Sequence, residues 1–457
     1  MNDNKEKLPN NENEKRERRL MIANAAALTI VFAAIALFMT FGKRPNVSYE
    51  ENRNLEKPPV FTWEEYWKGN VTEQFGKYYN DTVPLRSTWK LVISEFRGHL
   101  GIKYDGGVTI VGKLPVIDEP DDPKNTSTPN APDNSNPNIP AVVIPKPENS
   151  IPAVVIPPKP GEQNNSPNSQ YGEVSGRVMV LNDGRAFLLF KDADGAAEFG
   201  AGVMNSAKEQ LPDLNVYSLI PPTAVSFYLP EKYAELSDSE RAYIDRSNAL
   251  MKNVTAIDAY SALEAHTSED IYFKTDHHWT QLGAYYAAEE FAEAAGVPFD
   301  ELSQYERREI PNFVGKMYAM SEYDAKVKDN PETFVYYVPR GEHSAVYYDR
   351  DLQNPREHSY FYGQDELIEP TDFYLTYMNS NWEIVHISGG AQNGRKLMIL
   401  KNSYGNALAP NLFNSFEDVW VVDINWNDID LTEFAKQNGI TDLLYCVSTF
   451  QYINANE

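Results

Sequence analysis

The stretch KLMILKNSYGNALAPNLFNSFEDVWVVDINWNDIDLTEFAKQNGITDLLYCVS, residues 396–448, decides the fold of this chain. It contains three apolar runs of strand length, separated by segments with helical character that begin at about Tyr404 and Leu431. The predicted strands cover 396–400, 419–423 and 442–448. Alternation of strands and helices is typical of β-α-β units, whose strands lie parallel and are joined by right-handed crossovers. The stretch therefore predicts an α/β fold built on a parallel sheet.

The same pattern extends upstream, so residues 173–457 are predicted to form one α/β domain. Asn182-Asp183-Gly184-Arg185 separates two short apolar runs and predicts a hairpin. Residues 281–295 predict a strong helix that ends at Gly296. Further strands are predicted at 215–220 and 255–258, and further helices at 195–211 and near 230–252. Residues 300–380 show no legible pattern.

Residues 20–41 form a run of 22 positions without a charge, which predicts a transmembrane helix. As a helix the run spans roughly 33 Å, enough for a hydrocarbon core of about 30 Å. The basic residues Lys15, Arg16, Arg18 and Arg19 precede it, which places residues 1–19 in the cytoplasm as a tail and the chain from residue 45 onward outside. A cleaved signal peptide is the alternative, but the apolar run is long for one and no clear cleavage site follows.

Residues 45–114 are predicted to be the N-terminal part of the extracytoplasmic domain, and residues 115–172 a disordered insertion or linker. The first segment predicts helices at 61–66, 72–79 and 87–100, the last capped by Ser87, and a strand at 107–111. The second segment is rich in Pro and Asn and contains the unit Ile-Pro-Ala-Val-Val-Ile-Pro at 139–145 and again at 151–157. Because proline at this density favours extended chain, a solvated spacer is preferred over a ligand for a proline-binding partner.

The chain has a net charge of −25, which argues against nucleic-acid binding because such binding needs a basic surface. Residues 1–44 hold eight basic and five acidic side chains, a net charge of +3, which leaves −28 for residues 45–457. The single cysteine, Cys446, excludes an intramolecular disulfide and a cysteine-cluster metal site. An acidic, disulfide-free exterior domain fits a bacterial cell envelope. No cofactor is indicated.

Ser403 lies between a predicted strand and a predicted helix, in the segment Leu400-Lys-Asn-Ser-Tyr-Gly-Asn406. In open α/β sheets, reactive side chains collect at the C-terminal ends of the strands. Ser403 is therefore a candidate nucleophile, and the N–H groups of Ser403 and Tyr404 with the side chain of Asn406 are candidate donors to an oxyanion. The alternative is that Ser403 is only the N-cap of the helix.

The segment Thr275-Asp-His-His-Trp279 provides a second group of candidates. If this segment is extended, Asp276 and His278 point to the same side and His277 faces the other way. A carboxylate beside an imidazole fixes the tautomer of the ring and stabilises the imidazolium, so the pair is a candidate base and orienter that Trp279 would shield from water. A metal site at His277 and His278 is the alternative. It lacks the Glu-x-x-His or His-x-x-x-His spacing of known motifs, so no metal is predicted.

The segments TDHHWTQLGAYYAA (275–288) and LMILKNSYGNALAPNL (397–412) resemble the DHHW family of bacterial envelope proteins. That family is related to the alginate O-acetylation proteins, which have a permuted SGNH-hydrolase-like domain. Weaker blocks of likeness lie at 48–53, 81–86, 221–223 and 315–318, so the resemblance covers most of 45–457 apart from the insertion. It implies an SGNH-hydrolase-like three-layer α/β fold, preceded here by one transmembrane helix.

The resemblance also implies that Ser403 is the nucleophile, His278 the base and Asp276 the orienter. The implied activity is that of a membrane-anchored extracytoplasmic serine O-acetyltransferase or esterase, which modifies a cell-envelope or exported polysaccharide through an acyl-serine intermediate. A membrane-bound acyl-donor protein is the implied partner. The alternative is a non-catalytic envelope protein that binds a glycan or assembles a complex.

Two positions depart from the family pattern. Asn402 stands where the family usually has an aspartate, which should have little effect because the acid of the triad comes from Asp276. Asn425 stands where related sequences often have an arginine, which weakens any carry-over of an acyl or sugar contact made there. If His278 is the base, activity should fall below about pH 6.5, where an ordinary imidazole takes up a proton.

Overall fold

A computed structural model of the chain describes residues 11–45, 47–48, 53–54, 57–68, 70–86, 88–89, 92–93, 96, 108–111, 177–348, 352, 354–358, 370–379, 383–424 and 429–451. The chain divides into two compact units, Met1–Leu100 and Gly101–Glu457. The predicted insertion at 115–172, the predicted cap Ser87 and Asn425 lie outside the described residues, as does most of the helix predicted at 87–100.

The first unit contains the long N-terminal helix. Its elements are helix α1 (Asn11–Phe41), strands β1 (Val47–Ser48) and β2 (Arg53–Asn54), and helices α2 (Trp63–Trp67) and α3 (Asn70–Asp81). Among the described residues, Arg18–Phe41 within α1 is the one helical segment long and apolar enough to cross a membrane, judged by length and composition. The helices predicted at 61–66 and 72–79 correspond to α2 and α3.

The second unit contains thirteen strands and nine α-helices among its described residues. The strands are β3 (Thr109–Val111), β4 (Arg177–Val180), β5 (Ala186–Leu189), β6 (Asn215–Leu219), β7 (Thr255–Ile257), β8 (Glu306–Phe313), β9 (Glu332–Val338), β10 (Ser344–Tyr348), β11 (Arg356–His358), β12 (Ile384–Ser388), β13 (Lys396–Lys401), β14 (Asp418–Asp423) and β15 (Asp442–Cys446). The helices are α4 (Ala196–Gln210), α5 (Val225–Tyr228), α6 (Glu240–Ala249), α7 (Ala259–Ala265), α8 (Gln281–Ala295), α9 (Met317–Met320), α10 (Ala325–Lys328), α11 (Tyr404–Leu408) and α12 (Leu431–Asn438).

An eight-stranded mixed sheet forms the centre of the second unit, in the order β11-β10-β12-β14-β13-β15-β6-β7. The five strands from β14 to β7 are parallel, as predicted from the sequence. The other three strands, β12, β10 and β11, are joined to them and to one another by antiparallel pairing. The prediction of a parallel sheet is therefore right for five strands, and the antiparallel part lies in and beside the stretch that showed no pattern.

Strand β13 lies in the interior of this sheet, between β14 and β15. Leu397, Met398, Ile399 and Leu400 are all buried, which is why the run is apolar at consecutive positions rather than at alternate ones. A strand covered on both faces has a fixed position, so the residue that follows its C-terminal end is held in a defined place. That residue is part of the Asn402-Ser403 turn.

A smaller antiparallel sheet, β3-β4-β5, contains the hairpin predicted at Asn182-Asp183-Gly184-Arg185. Gly184 has a φ of +81°, a left-handed conformation that glycine adopts without strain. Strand β3 pairs with β4, with Val111 opposite Val178.

Candidate active site

Ser403 lies two residues after Lys401, the last residue of β13, and immediately precedes α11. Its φ and ψ of −56° and −25° begin the helical turn, and its side chain makes no capping hydrogen bond to α11. The alternative that the hydroxyl group of Ser403 caps the N-terminus of α11 is therefore wrong. A half-buried hydroxyl at the C-terminal end of an interior strand is positioned for chemistry.

The segment that contains Asp276 and His278 is a tight bend, not an extended strand. An antiparallel bridge between Tyr272 and Trp279 closes the bend, and the backbone N–H of His278 donates to Asp276 Oδ1 at 3.1 Å. A carboxylate that accepts from a backbone N–H two residues on stabilises a turn in place of extended chain. The two side chains meet as predicted, but through the bend and not through strand alternation.

Ser403, His278 and Asp276 lie in hydrogen-bonding order. His278 Nε2 is 2.7 Å from Ser403 Oγ, and His278 Nδ1 is 2.6 Å from Asp276 Oδ1. The contact between His278 and Asp276 is short for an N–H to oxygen bond, as expected where the acceptor is a carboxylate. The arrangement assigns the Nδ1–H tautomer to a neutral His278, because Asp276 can only accept and Ser403 can then donate to Nε2.

His277 lies beside His278, so the prediction that it faces the other way is wrong. The two ring centres are 3.8 Å apart, and His277 Nδ1 is 3.8 Å from Asp276 Oδ1. Among the described residues, Nδ1 of His277 has no hydrogen-bond partner. Burial lowers the pKa of His277 to about 3, and the charges of His278 and Lys316 act in the same direction against the opposing effect of Asp276. His277 is therefore a neutral ring at physiological pH.

Asp276 is completely buried and is held by the segment that leads into α9. The backbone N–H of Lys316 donates to Asp276 Oδ2 at 2.9 Å, and the N–H of Met317 donates to Thr275 O at 3.0 Å. A Cβ atom at Gly315 would lie 2.4 Å from Cβ of Asp276, so only glycine allows this approach. Burial alone would raise the pKa of Asp276, but the adjacent imidazoles and the hydrogen bonds from His278 and the Lys316 N–H hold it well below its usual value. Asp276 is therefore ionised.

Glu332, at the start of β9, anchors the other side of the bend. Its carboxylate accepts from the backbone N–H groups of Lys274 at 3.0 Å and Thr275 at 2.7 Å, and from the hydroxyl of Thr275 at 2.6 Å. The sequence analysis did not identify this residue, because it lies 57 positions from Thr275 in a stretch without a legible pattern.

Trp279 and Tyr404 join the bend to the Ser403 turn. The indole Nε1–H of the fully buried Trp279 donates to Tyr404 O at 3.0 Å, and the hydroxyl of Tyr404 donates to His277 O at 2.5 Å. These two hydrogen bonds connect partners that are separated in the sequence by 125 and by 127 positions. Besides the predicted shielding of the Asp276–His278 pair, Trp279 therefore links the bend to the Ser403 turn.

The candidate oxyanion donors are placed as follows. The backbone N–H of Tyr404 donates to Asn402 Oδ1 at 3.2 Å, so this donor is already engaged. The side chain of Asn406 is fully buried, and its backbone N–H donates to Ser403 O at 3.1 Å. Asn402 also donates through Nδ2 to Ser448 Oγ at 2.9 Å, which links the turn to the chain after β15. Asn402 is therefore part of the support of this turn.

Tyr374 is a neighbour of the triad that the sequence analysis did not identify. Its ring is stacked on that of His278, with centres 3.8 Å apart and planes inclined by 9°, and its hydroxyl donates to Ser403 O at 3.1 Å. It lies in a 3-10 segment, Pro370–Asn379, within the stretch that showed no pattern.

Asp276, His277 and His278 are also the one described group whose ligand atoms could together hold a metal ion, since these atoms lie within 4.8 Å of one another. A tetrahedral zinc ion keeps its ligand atoms about 3.3 Å apart. The 2.6 Å contact between His278 and Asp276 would have to open to admit it. The geometry as it stands is that of a hydrogen-bonded acid–base pair.

The arrangement can activate the hydroxyl of Ser403. An imidazole that accepts from the hydroxyl through Nε2, and donates to a buried carboxylate through Nδ1, can take the proton as the oxygen attacks an electrophile. The ionised Asp276 then stabilises the imidazolium. The three side chains have the types and the order of a nucleophile, a base and an orienter.

Comparisons with known proteins bear on the family and the fold of the chain. A family model described as "DHHW protein" matches residues 51–422. A DHHW family protein from Eubacterium siraeum is 39% identical, with a TM-score of 0.56, over 63% of this chain and 95% of that chain. No curated protein matches.

Two more distant structures resemble the fold. PatB1 from Bacillus cereus, solved with a sulfonyl adduct, is 18% identical with a TM-score of 0.51, over 61% of this chain and 95% of that one. The O-acetyltransferase domain of Pseudomonas putida AlgJ is 14% identical over 61% of this chain and 92% of that one, with a TM-score of only 0.36. The PatB1 likeness shows the fold, and the prediction of an SGNH-hydrolase-like α/β domain is confirmed.

Proposed function

The chain belongs to the DHHW protein family, and we propose that it is a membrane-anchored, extracytoplasmic serine O-acetyltransferase or esterase that modifies a cell-envelope or exported polysaccharide. The observation that carries the proposal is the continuous hydrogen-bonded series from Ser403 through His278 to Asp276. A role related to acetylation is consistent with the structural likenesses of this fold.

The first half of the reaction uses these three side chains. Ser403 Oγ attacks the acetyl carbonyl carbon, and its proton passes to Nε2 of His278. The leaving group departs with that proton, so an acetyl ester on Ser403 replaces the ester of the donor. Asp276 stabilises the imidazolium that exists between the two proton transfers.

The second half decides between the two named activities. A sugar hydroxyl that loses its proton to His278 and attacks the acetyl-serine gives an O-acetylated polysaccharide, whereas water gives acetate. Both routes free Ser403 and use the same base. Transferase and esterase therefore differ in which acceptor enters the site, and not in the triad.

The location is part of the proposal. Residues 20–41, within the apolar helical segment Arg18–Phe41, would be the membrane anchor, with residues 1–19 in the cytoplasm and the chain from residue 45 onward outside. The basic residues Lys15, Arg16, Arg18 and Arg19, immediately before the apolar run, support this direction. A membrane-bound acyl-donor protein would supply the acetyl group, and residues 115–172 would serve as a solvated spacer.

The test compares cells that produce the wild-type chain with cells that produce Ser403→Ala, and measures the acetate that mild base releases from the envelope polysaccharides. The proposal predicts that ester-linked acetate changes with the wild type and returns to the level of cells lacking the protein in Ser403→Ala. Ser344→Ala, at an exposed position of β10, is the matched control and should behave as wild type. Full function in Ser403→Ala cells would favour the alternative of a non-catalytic glycan-binding or assembly protein.

A further inference from the structure

Two hydrogen bonds hold the ring nitrogens of His278. Contacts on the ring faces restrict the tilting of the ring that these bonds and the side-chain torsions still allow. Two rings provide them: Tyr374 at 3.8 Å with an inclination of 9°, and His277 at 3.8 Å with an inclination of 36°. The Tyr374 ring lies more nearly parallel to the imidazole of His278 than the His277 ring does.

Tyr374 contacts the nucleophile as well as the base. Its hydroxyl donates to the backbone oxygen of Ser403 at 3.1 Å, while its ring covers His278. One rigid side chain therefore spans the two residues between which the proton must move. Because the side chain has only two rotatable bonds, it fixes their separation with little loss of conformational entropy.

The Tyr374 ring is itself well supported. The side chain is buried and packs edge-on against Tyr377, at 5.1 Å, and Phe273, at 6.5 Å. Phe273 lies just before the bend that contains Asp276. Tyr374 is thus packed against the chain on which the base is carried, and it cannot turn away without disturbing that packing.

We propose that Tyr374 is a positioning residue that holds the imidazole of His278 in line with Ser403 and stabilises its protonated form. The inference rests on the proposed function, because it concerns the same triad. An aromatic face attracts a cation, so a ring stacked on His278 favours the imidazolium that forms when Ser403 attacks. Loss of the ring should misalign the pair and make the protonated base less favourable.

The experiment measures sulfonylation of Ser403 in the full chain in detergent, with phenylmethanesulfonyl fluoride as the probe. In this reaction Ser403 Oγ bonds to sulfur, fluoride leaves, and the hydroxyl proton passes to His278. The rate constant is followed by intact mass against pH, and the site is located by peptide mapping. The variants are Tyr374→Phe, which keeps the ring, and Tyr374→Leu, which removes it.

Tyr374→Phe should react within about threefold of wild type, because the stacked ring remains. Tyr374→Leu should react roughly ten- to a hundredfold more slowly, the loss expected for a displacement of about 1 Å between reacting groups. The acid limb of its pH–rate profile should move about half a unit to lower pH, because the protonated base is less favoured. Phe373→Leu removes a neighbouring buried ring that stacks on Phe313, and should match wild type in rate and profile.

Three results would overturn the proposal: Tyr374→Leu reacting like wild type, Tyr374→Phe reacting as slowly as Tyr374→Leu, or an acid limb that stays in place or moves to higher pH. If Tyr374→Leu does not fold, Tyr374→Met fills the space without an aromatic face and is judged by the same criteria. A folded wild type that is not sulfonylated at Ser403 would overturn both proposals. Sulfonylation without acetyl transfer would contradict the proposed function alone and leave the variant series to decide the role of Tyr374.

Discussion

Replacing His277 by phenylalanine should make the protein less sensitive to acid. The folded state keeps His277 neutral, because burial lowers its pKa from 6.5 to about 3. As the pH falls below 6.5 the unfolded chain takes up a proton at this position, whereas the folded chain does not until about pH 3. The histidine therefore lowers the free energy of unfolding progressively across that window, and stability is highest above it.

The magnitude follows from the pKa shift. Between pH 7 and pH 5, protonation of His277 in the unfolded chain lowers the free energy of unfolding by about 2 kcal/mol, since each pH unit below 6.5 contributes about 1.4 kcal/mol. The side chain is only 13% exposed, so solvent screening reduces this value little. Phenylalanine keeps an aromatic ring beside His278 and cannot titrate.

The assay is urea unfolding of the full chain in detergent at pH 7 and pH 5, followed by tryptophan fluorescence. The loss of unfolding free energy between the two pH values should be about 2 kcal/mol smaller in His277→Phe than in wild type. His277→Asn, which also does not titrate, should show the same reduced pH dependence even if its stability at pH 7 differs. The reasoning is refuted if both variants lose as much stability as wild type.

Gly315→Ala places a Cβ atom 2.4 Å from Cβ of Asp276 and should reduce activity by about a hundredfold, because the carboxylate is displaced. Gly202→Ala, whose new Cβ atom would have nothing within 4 Å, should leave activity unchanged. Measurement of ester hydrolysis by the two variants checks this prediction. Lys401→Met should lower the free energy of unfolding by about 3–5 kcal/mol, because it removes the buried ammonium 2.6 Å from Asp423. In urea unfolding the double variant Lys401→Met/Asp423→Leu should recover most of that loss. Losses of the two single variants that simply add in the double variant would contradict this account of the pair. Activity should survive incubation with a chelator, and its loss with restoration by zinc would favour the metal alternative.

The parallel half of the sheet could be predicted because its strands are buried on both faces. Strands β13, β14 and β15 have consecutive apolar residues, and that pattern is visible without knowledge of their partners. Strand β8 shows the opposite case. Its sequence Glu-Arg-Arg-Glu-Ile-Pro-Asn-Phe is almost wholly exposed, and it is held by pairing with β9 rather than by burial. A strand stabilised mainly by its partner leaves little trace in its own sequence.

The structure brings together three side chains that the sequence analysis named, and it adds supporting contacts that the sequence analysis missed. Asp276, His278 and Ser403 occur in short, unusual segments whose side-chain chemistry suggests their roles. Tyr374 and Glu332 act through contacts with residues at least 29 positions away, which no local pattern records. Asp276 and His278 were expected on one side if their segment were extended. In the structure the hydrogen bond from the His278 N–H to Asp276 Oδ1 holds the segment in a bend instead, and such a local bond competes with strand geometry.

The most direct measurement of the central proposal is the identification of an acetyl group on Ser403. The full chain in detergent is incubated with an activated acetyl ester, quenched in acid, digested and mapped by mass spectrometry, alongside His278→Ala. The predicted result is acetyl on Ser403 in the wild type and none in His278→Ala, because the hydroxyl is a weak nucleophile without its base. A folded wild-type protein without acetyl on Ser403, or equal labelling in His278→Ala, would contradict the proposed mechanism.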